Sequence, residues 1–380
     1  MEKIIKLSFI DSLHRSLTSH SELLQVILGP RQVGKTTSVL DYLTKLHAED
    51  HVYYSADSIL NASPEWIREC WQHARRVQKI LVIDEIQKCQ NWAEVIKALW
   101  DEAKRAKQKV RCILLGSSSL HIQKGLTESL TGRFQLHFAY HWNAAESRDG
   151  YGLDLKSYMK YGGYPGSYNF TPSDEWARYI STSIVGTVIE KDILQFQAVK
   201  NPALFKQAFE IIMSYPAMEI SYNKLLGQLQ DKGNVEIVKY YLELYQGAFL
   251  IKVLEKYSPN KIKVKSSSPK IVPLAPCLYY LTHLDEYTPE ERGHVFEAMV
   301  GSQLLRTGHE LFYWRDGKHE VDFVLRKGKS VWAIEVKSGR RRNIGSLEAF
   351  TKMFPKAKAV VLTFEDYEVF EADPVKFLQA

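Results

Sequence analysis

No apolar run in this 380-residue sequence approaches the ~20 residues a helix needs to cross a bilayer. There is no internal repeat, and 21 glycines and 13 prolines are too few for a collagen-like or low-complexity chain. Cysteine is scarce. Cys70, Cys89, Cys112 and Cys277 stand far apart, with no metal-knuckle or CxxC spacing, which argues against a disulfide scaffold and suits a reducing cytosol. The 12 histidines include no HExxH, and no G-x-S-x-G is present, so zinc-hydrolase and nucleophile-elbow chemistry are disfavoured. The start, Met1 to Asp11, has a broken apolar patch and no small-residue cleavage site. No secretory leader is therefore expected, and a cytoplasmic protein without a membrane partner is.

What is present is an ordinary globular balance of 45% hydrophobic and 25% charged residues, long enough for two or three domains. The net charge of +6 is mildly basic. It permits a nucleic-acid partner without arguing for one, because positive charge must cluster to matter.

The pattern divides the chain into three. Residues 1–150 alternate strand and helix: the apolar runs Leu23–Leu28, Lys79–Ile83 and Val110–Leu115 suit strands buried on both faces of a parallel sheet. Between them Trp92, Val95, Ile96, Leu99, Trp100 and Ala103 recur at helical spacing. Residues 151–258 are mostly helical, with helices expected over 203–214, 222–229 and 235–246, the last capped by Asn234 after Gly233. With the strand-like Ala248–Leu254 they resemble a winged helix-turn-helix. A basic linker then opens residues 259–380, where helix, three strands, helix and strand follow in order: a second α/β unit.

Gly29-Pro30-Arg31-Gln32-Val33-Gly34-Lys35-Thr36 satisfies G-x-x-x-x-G-K-[ST], between an apolar strand and a helix that begins with Thr37. In this motif glycines let backbone N–H groups curl around phosphates, the lysine (Lys35) reaches the β/γ-phosphates and the hydroxyl (Thr36) ligates Mg²⁺. The expected nucleotide contacts are Gly29 through Thr37. The run Ile80–Ile83 ends in Asp84 and Glu85, an acid to hold Mg²⁺ and an acid to polarise the attacking water. Ser117 or Ser118, after the next strand, could sense the γ-phosphate.

These segments, followed by Leu130-Thr131-Gly132-Arg133-Phe134, Tyr161–Pro165 and Glu190–Leu194, resemble the prokaryotic AAA-superfamily P-loop ATPases that carry a C-terminal restriction-endonuclease-like domain. The resemblance implies a P-loop parallel sheet with helices on both faces, and a role for Arg133 at the γ-phosphate as an arginine finger, in cis or in trans. The chain departs from that family at His141–Ala145, with the following Glu146 retained, and at Ile271–Pro276, which lacks the usual Asp.

Near the end, Asp322 and the pair Glu335 and Lys337 form a D…ExK arrangement on successive predicted strands. Period 2 puts Glu335 and Lys337 on one face, and pairing of the two strands would bring Asp322 to Glu335 as a two-carboxylate Mg²⁺ site. Glu297 on the preceding helix could add a third ligand, and Lys337 could orient a water. The element order resembles the PD-(D/E)xK nuclease core. A solvated sheet face, or a nuclease fold without cleavage, would show the same residues. Lys252, Lys256, Lys261, Lys263, Lys265, Lys270 and Arg340–Arg342 could track phosphates, or the lysines could protect an edge strand.

The expected protein binds and hydrolyses ATP with Mg²⁺, and couples turnover to DNA binding or to metal-dependent DNA cleavage, as a possible homo-oligomer. The alternative is an ATP-dependent switch whose nuclease-like domain is an inactive module that docks DNA or a partner.

Overall fold

The computed structural model describes all residues except 1–4, 20–21, 48–49, 60–61, 109, 117–118, 196, 198, 230–233, 259–266 and 340–343. The chain falls into two compact units, residues 1–141 and 142–380.

In the first unit five parallel strands, β1 (Leu24–Leu28), β2 (His51–Ser55), β3 (Ile80–Asp84), β4 (Cys112–Leu115) and β5 (Phe134–Phe138), lie in the order β2-β3-β4-β1-β5. Every residue of β1, β3 and β4 is buried. Strands covered on both faces must be apolar throughout, which is why these three read as unbroken runs. The edge strands β2 and β5 are only partly buried, and their mixed composition follows. The helices are α1 (Phe9–Thr18), α2 (Lys35–His47), α3 (Pro64–Val77), α4 (Trp92–Arg105) and α5 (Ser119–Ser129). The Ser63 hydroxyl caps α3 by accepting from Trp66 N–H at 3.3 Å, and Pro64 fits its first turn. α4 buries Trp92, Val95, Ile96, Leu99 and Ala103. Trp100 departs from that stripe: it is half-buried, and its indole N–H donates to Glu22 O at 2.9 Å. Because the strands are parallel, β1, β3 and β4 all end at one edge, where ligands bind in open α/β sheets.

The second unit opens with α6 (Ala144–Tyr151), whose start is strongly fixed. Asn143 and Glu146 form a capping box. The Ala144 and Ala145 N–H groups donate to the Glu371 carboxylate at 2.8 and 3.0 Å. Glu146 also accepts from both terminal guanidinium nitrogens of half-buried Arg306, at 2.8 and 3.2 Å. This accounts for the retained Glu146 by fold rather than by chemistry. α7 (Leu155–Tyr161) and α8 (Asp174–Arg178) follow, the latter running into π-helical turns at Tyr179–Gly186 and Val188–Leu194. Tyr161, Trp176 and Tyr280 pack with ring centroids 5.1–5.6 Å apart, so part of the tyrosine and tryptophan content is spent on this core.

Next come α9 (Pro202–Met213), β6 (Met218–Glu219), α10 (Tyr222–Gln228), α11 (Val235–Gly247), β7 (Ile251–Leu254) and β8 (Lys270–Pro273). The three strands form an antiparallel sheet in the order β6-β8-β7. Asn234 caps α11, accepting from Ile237 N–H at 3.0 Å; Gly233 lies outside the described residues. The expected strand Ala248–Leu254 begins only at Ile251, because Phe249 has left-handed backbone (φ 59°). β8 follows the basic linker, yet it pairs with the middle region's strands rather than with the C-terminal sheet.

Then come α12 (Pro276–Tyr280) and α13 (Pro289–Leu305), followed by β9 (Glu310–Asp316), β10 (His319–Lys327), β11 (Ser330–Lys337), α14 (Gly345–Met353), β12 (Lys358–Thr363), α15 (Tyr367–Ala372) and α16 (Pro374–Gln379). The sheet order is β12-β11-β10-β9, with β12 parallel to β11 and the other pairs antiparallel. Among the described residues no helix is long and apolar enough to cross a membrane.

Candidate active site

The loop from β1 into α2 carries Gly29 to Thr36. Gly34 has φ +82° with open space where a Cβ would stand, so glycine is there for backbone conformation. Gly29 serves a different purpose. A Cβ on it would lie 2.0 Å from Ala139 O, so the absent side chain admits the chain leaving β5. Gln32 also has positive φ (57°). Lys35 is buried, and its ammonium turns back into the loop, donating to Gly29 O at 3.1 Å and Pro30 O at 2.5 Å. Arg31, Val33 and Thr37 flank this cradle in sequence. At the end of β3, two strands across from β1, the Thr36 hydroxyl donates to Asp84 Oδ2 at 2.7 Å, and Tyr53 OH donates to the same oxygen at 3.0 Å. Burial, with Asp84's charge adding, pushes the Tyr53 phenol up to about 12, so it stays a donor. Asp84 Oδ1 accepts from Glu85 N–H at 2.9 Å.

Ser117 and Ser118 lie outside the described residues. Arg133 stands just before β5, and its carbonyl accepts from Leu24 N–H at the start of β1. It is therefore at the sheet edge opposite the phosphate loop, a strand length of roughly 16 Å away. Its guanidinium forks onto Asp101 at 2.9 and 3.1 Å and lies over the Trp100 ring. This placement puts Arg133 out of reach of the phosphate loop of the same chain.

In the second unit β10 and β11 pair antiparallel with Phe323 opposite Ile334. One step on, Asp322 stands opposite Glu335, as the strand pattern predicts. The ladder between β9 and β10 slips between Val321 and Val324, a bulge of the kind that re-aims a side chain. Asp322 Oδ2 accepts from Val336 N–H at 2.7 Å, and Glu335 Oε1 accepts from Lys337 Nζ at 2.5 Å. Glu335 is 7% exposed, and its Oε2 has no hydrogen-bond partner among the described residues. A solvated sheet face is thus excluded. Burial raises the Glu335 carboxyl pKa, Asp322 adds to the rise and Lys337 opposes it.

Lys270, at the start of β8, is 1% exposed. Its ammonium pairs with Glu297 of α13, donates to Asp322 O at 3.2 Å, and lies 3.8 Å from Glu320 Oε1 and 3.9 Å from Asp322 Oδ1. Burial alone would lower its pKa, but Glu297 and Asp322 more than offset that, and the net shift is upward. Its burial corrects both expectations for Lys270, a lysine tracking phosphates or one protecting an edge strand. Of the other residues in that cluster, Lys252 is exposed and Lys256 half-buried, while Lys261, Lys263, Lys265 and Arg340–Arg342 lie outside the described residues.

Residues 21–147 match the family described as AAA domain. The chain carries an AAA-type ATPase domain. Residues 152–284 and 292–378 match two domains of unknown function, DUF8612 and DUF4143. An uncharacterized protein of Haemophilus influenzae is 21% identical over 94% of this chain and 93% of its own length. The Walker-type ATPase of Pyrococcus abyssi is similar in structure, with a TM-score of 0.52 at 14% identity over 74% of this chain and 96% of that one. That likeness bears on the fold. The RuvB Holliday junction branch migration motor of Thermotoga maritima overlays at a TM-score of only 0.34, with 12% identity over 68% and 91% of the two chains, too low to argue from.

For this ATPase the neighbouring hydroxyl of Thr36 and carboxylate of Asp84 are the oxygen donors that Mg²⁺ takes, so the residues present fit that ion. Two neighbours escaped the sequence reading. Tyr53 is the middle residue of β2, the strand paired with β3, and strand order alone would reveal that neighbourhood. Gln87 Nε2 donates to Glu85 Oε2 at 2.5 Å, while its own buried Oε1 has no hydrogen-bond partner among the described residues. Gly116 makes room for it: a Cβ there would lie 2.0 Å from Gln87 Oε1. Glu85 itself sits at φ 54°, a conformation costing roughly 1–2 kcal/mol for a residue with a side chain. Strain of this kind gathers at functional sites. The C-terminal carboxylates fit a metal less well. Among the described residues no three His, Cys, Asp or Glu side chains gather as a metal site, and an ammonium already lies among the acids.

Proposed function

We propose that this ATPase is a nucleotide-driven switch acting on nucleic acid, whose C-terminal unit docks DNA or a partner rather than cutting it. The contact of Thr36 with Asp84, at 2.7 Å beside the phosphate loop, carries the nucleotide half of the reading. In it, Gly29 through Thr37 bind the nucleotide, with Lys35 on the β/γ-phosphates. Thr36 and Asp84 would hold Mg²⁺, which when bound supplies neutralising charge for the phosphates. Glu85 orients the attacking water, Ser117 senses the γ-phosphate, and Arg133 serves the nucleotide of a neighbouring subunit in a homo-oligomer.

The nucleic-acid half is supported by the order helix, strand, helix, helix, strand, strand over 202–273. Its closing strand β8 lies between the other two, an arrangement that fits a winged helix-turn-helix. The regions 1–150, 151–258 and 259–380 then act as motor, DNA-contacting part and docking part, with β8 completing the middle sheet. A second reading, metal-dependent cleavage by Glu297, Asp322, Glu335 and Lys337 on a PD-(D/E)xK-like core, is favoured by Asp322 facing Glu335. The burial of Lys270 beside these acids weighs against it.

Fluorescence anisotropy on duplex, branched and single-stranded DNA, with the protein loaded with ATP or ADP, tests the proposal. Affinity should differ between the two states by about fivefold or more and weaken with salt, and the DNA should remain intact in Mg²⁺ or Mn²⁺. No binding in either state sinks the nucleic-acid half. Cleavage that disappears in Asp322→Ala replaces docking with the nuclease reading.

A further inference from the structure

The acids that would hold a divalent metal do not stand alone. Lys270 reaches them from β8, a strand of a different sheet, and its ammonium is fully enclosed. It pairs with Glu297 and lies 3.9 Å from Asp322 Oδ1 and 3.8 Å from Glu320 Oε1. The ammonium also lies over the ring of buried Phe323, 5.2 Å from its centroid. That ring in turn leaves no space for a Cβ at Gly301 of α13, where it would approach to 2.7 Å. On the other side of the cluster Lys337 holds Glu335, and the Val336 N–H holds Asp322.

We propose that the Lys270 ammonium is the resident cation of the Glu297–Asp322–Glu335 cluster, standing where a nuclease of this topology would bind its divalent metal. Three carboxyl groups, Glu335 buried and Glu297 and Asp322 half-buried, face two lysines, Lys270 and Lys337. A divalent ion added to that set would sit against a fixed positive charge that has no path to solvent, and like charges at such distances disfavour each other. The cluster is then a metal-independent clamp joining β8 to α13 and β10, and the metal site is latent: it opens when the ammonium is removed. This deepens the non-cleaving reading of the C-terminal unit and rests on it only for its consequence, the absence of cleavage. The arrangement of charges stands by itself.

The test is a Mn²⁺ titration of nucleotide-free, full-length protein by calorimetry and by thermal unfolding. Any signal that Asp322→Asn removes is assigned to this cluster. Wild type should show no such signal. Lys270→Met should lower the melting temperature by roughly 10 °C, because it strips one partner from a buried pair. It should also gain one Mn²⁺ site, at least about tenfold tighter than anything in wild type, and recover melting temperature as Mn²⁺ is added. If Lys270→Met does not fold, Lys270→Met with Glu297→Gln, which removes charge from both sides, should fold. Wild type then decides alone. A wild-type Mn²⁺ site abolished by Asp322→Asn overturns the proposal, as does a folded Lys270→Met that ignores Mn²⁺. These outcomes are separate from DNA docking: a protein that behaves as expected with Mn²⁺ but binds no DNA loses the docking reading and keeps the resident ammonium.

Discussion

Glu85→Gln should bind ATP as wild type does and turn it over about 10²–10⁴-fold more slowly, the range for loss of a positioned general base. The substitution is nearly isosteric. Thr36 and Tyr53 still reach Asp84, so the nucleotide end of the site is untouched. Gln87 Nε2 can still donate to an oxygen at position 85, as it does now. The strained backbone at φ 54° is unchanged, since both residues carry a Cβ. Only the carboxylate that would polarise water is lost. Single-turnover hydrolysis beside equilibrium binding of a fluorescent ATP analogue separates the two effects. Hydrolysis at the wild-type rate would remove Glu85 from the mechanism.

Arg133→Ala should lower turnover by roughly 10³ or more with little change in nucleotide affinity, if the residue completes a neighbouring subunit's site. That role would need a neighbouring subunit, because Arg133 precedes β5 at the edge opposite its own phosphate loop. Its present partner is Asp101, whose carboxyl pKa is lowered, chiefly by the hydrogen bond from Arg133. A purely structural ion pair makes a different forecast: Asp101→Ala would then match Arg133→Ala, and neither would affect turnover strongly. Mixing Arg133→Ala with Lys35→Ala distinguishes them further. A Lys35→Ala subunit still offers Arg133, so a mixed oligomer should regain activity that neither variant has alone. Subunits that exchange and stay inactive would rule out action in trans.

The legible parts of this protein are those whose meaning is local. Gly29–Thr36 announces itself because strand, loop and helix are contiguous, and Asp84 because a buried strand must be apolar until it reaches the sheet edge. Asp322 opposite Glu335 was also within reach, since two adjacent strands joined by a short turn pair antiparallel and period 2 then sets the faces. Asn234 as a cap followed from its place before an apolar run.

What escaped is non-local. Lys270 ends a lysine-rich stretch and reads there as one more solvated charge. Its burial depends on β8 returning to pair with β6 and β7 and on α13 crossing nearby, which no spacing encodes. Gln87 matters because Gly116, just past the end of β4, leaves space beside it. Gly29 belongs to the motif, yet in this fold its missing side chain admits Ala139. The π-helical turns of 179–194 also escaped, since a short run of i→i+5 bonds within a helical region has no residue pattern of its own.

The account turns on a nucleotide bound and hydrolysed at the loop between β1 and α2. The most direct test compares ATP binding and phosphate release, in Mg²⁺, for wild type and Lys35→Ala, whose ammonium now lies within that loop. Wild type should bind and hydrolyse ATP, and Lys35→Ala should do neither while still unfolding in one cooperative transition. A folded Lys35→Ala protein that binds and hydrolyses ATP like wild type would contradict the account.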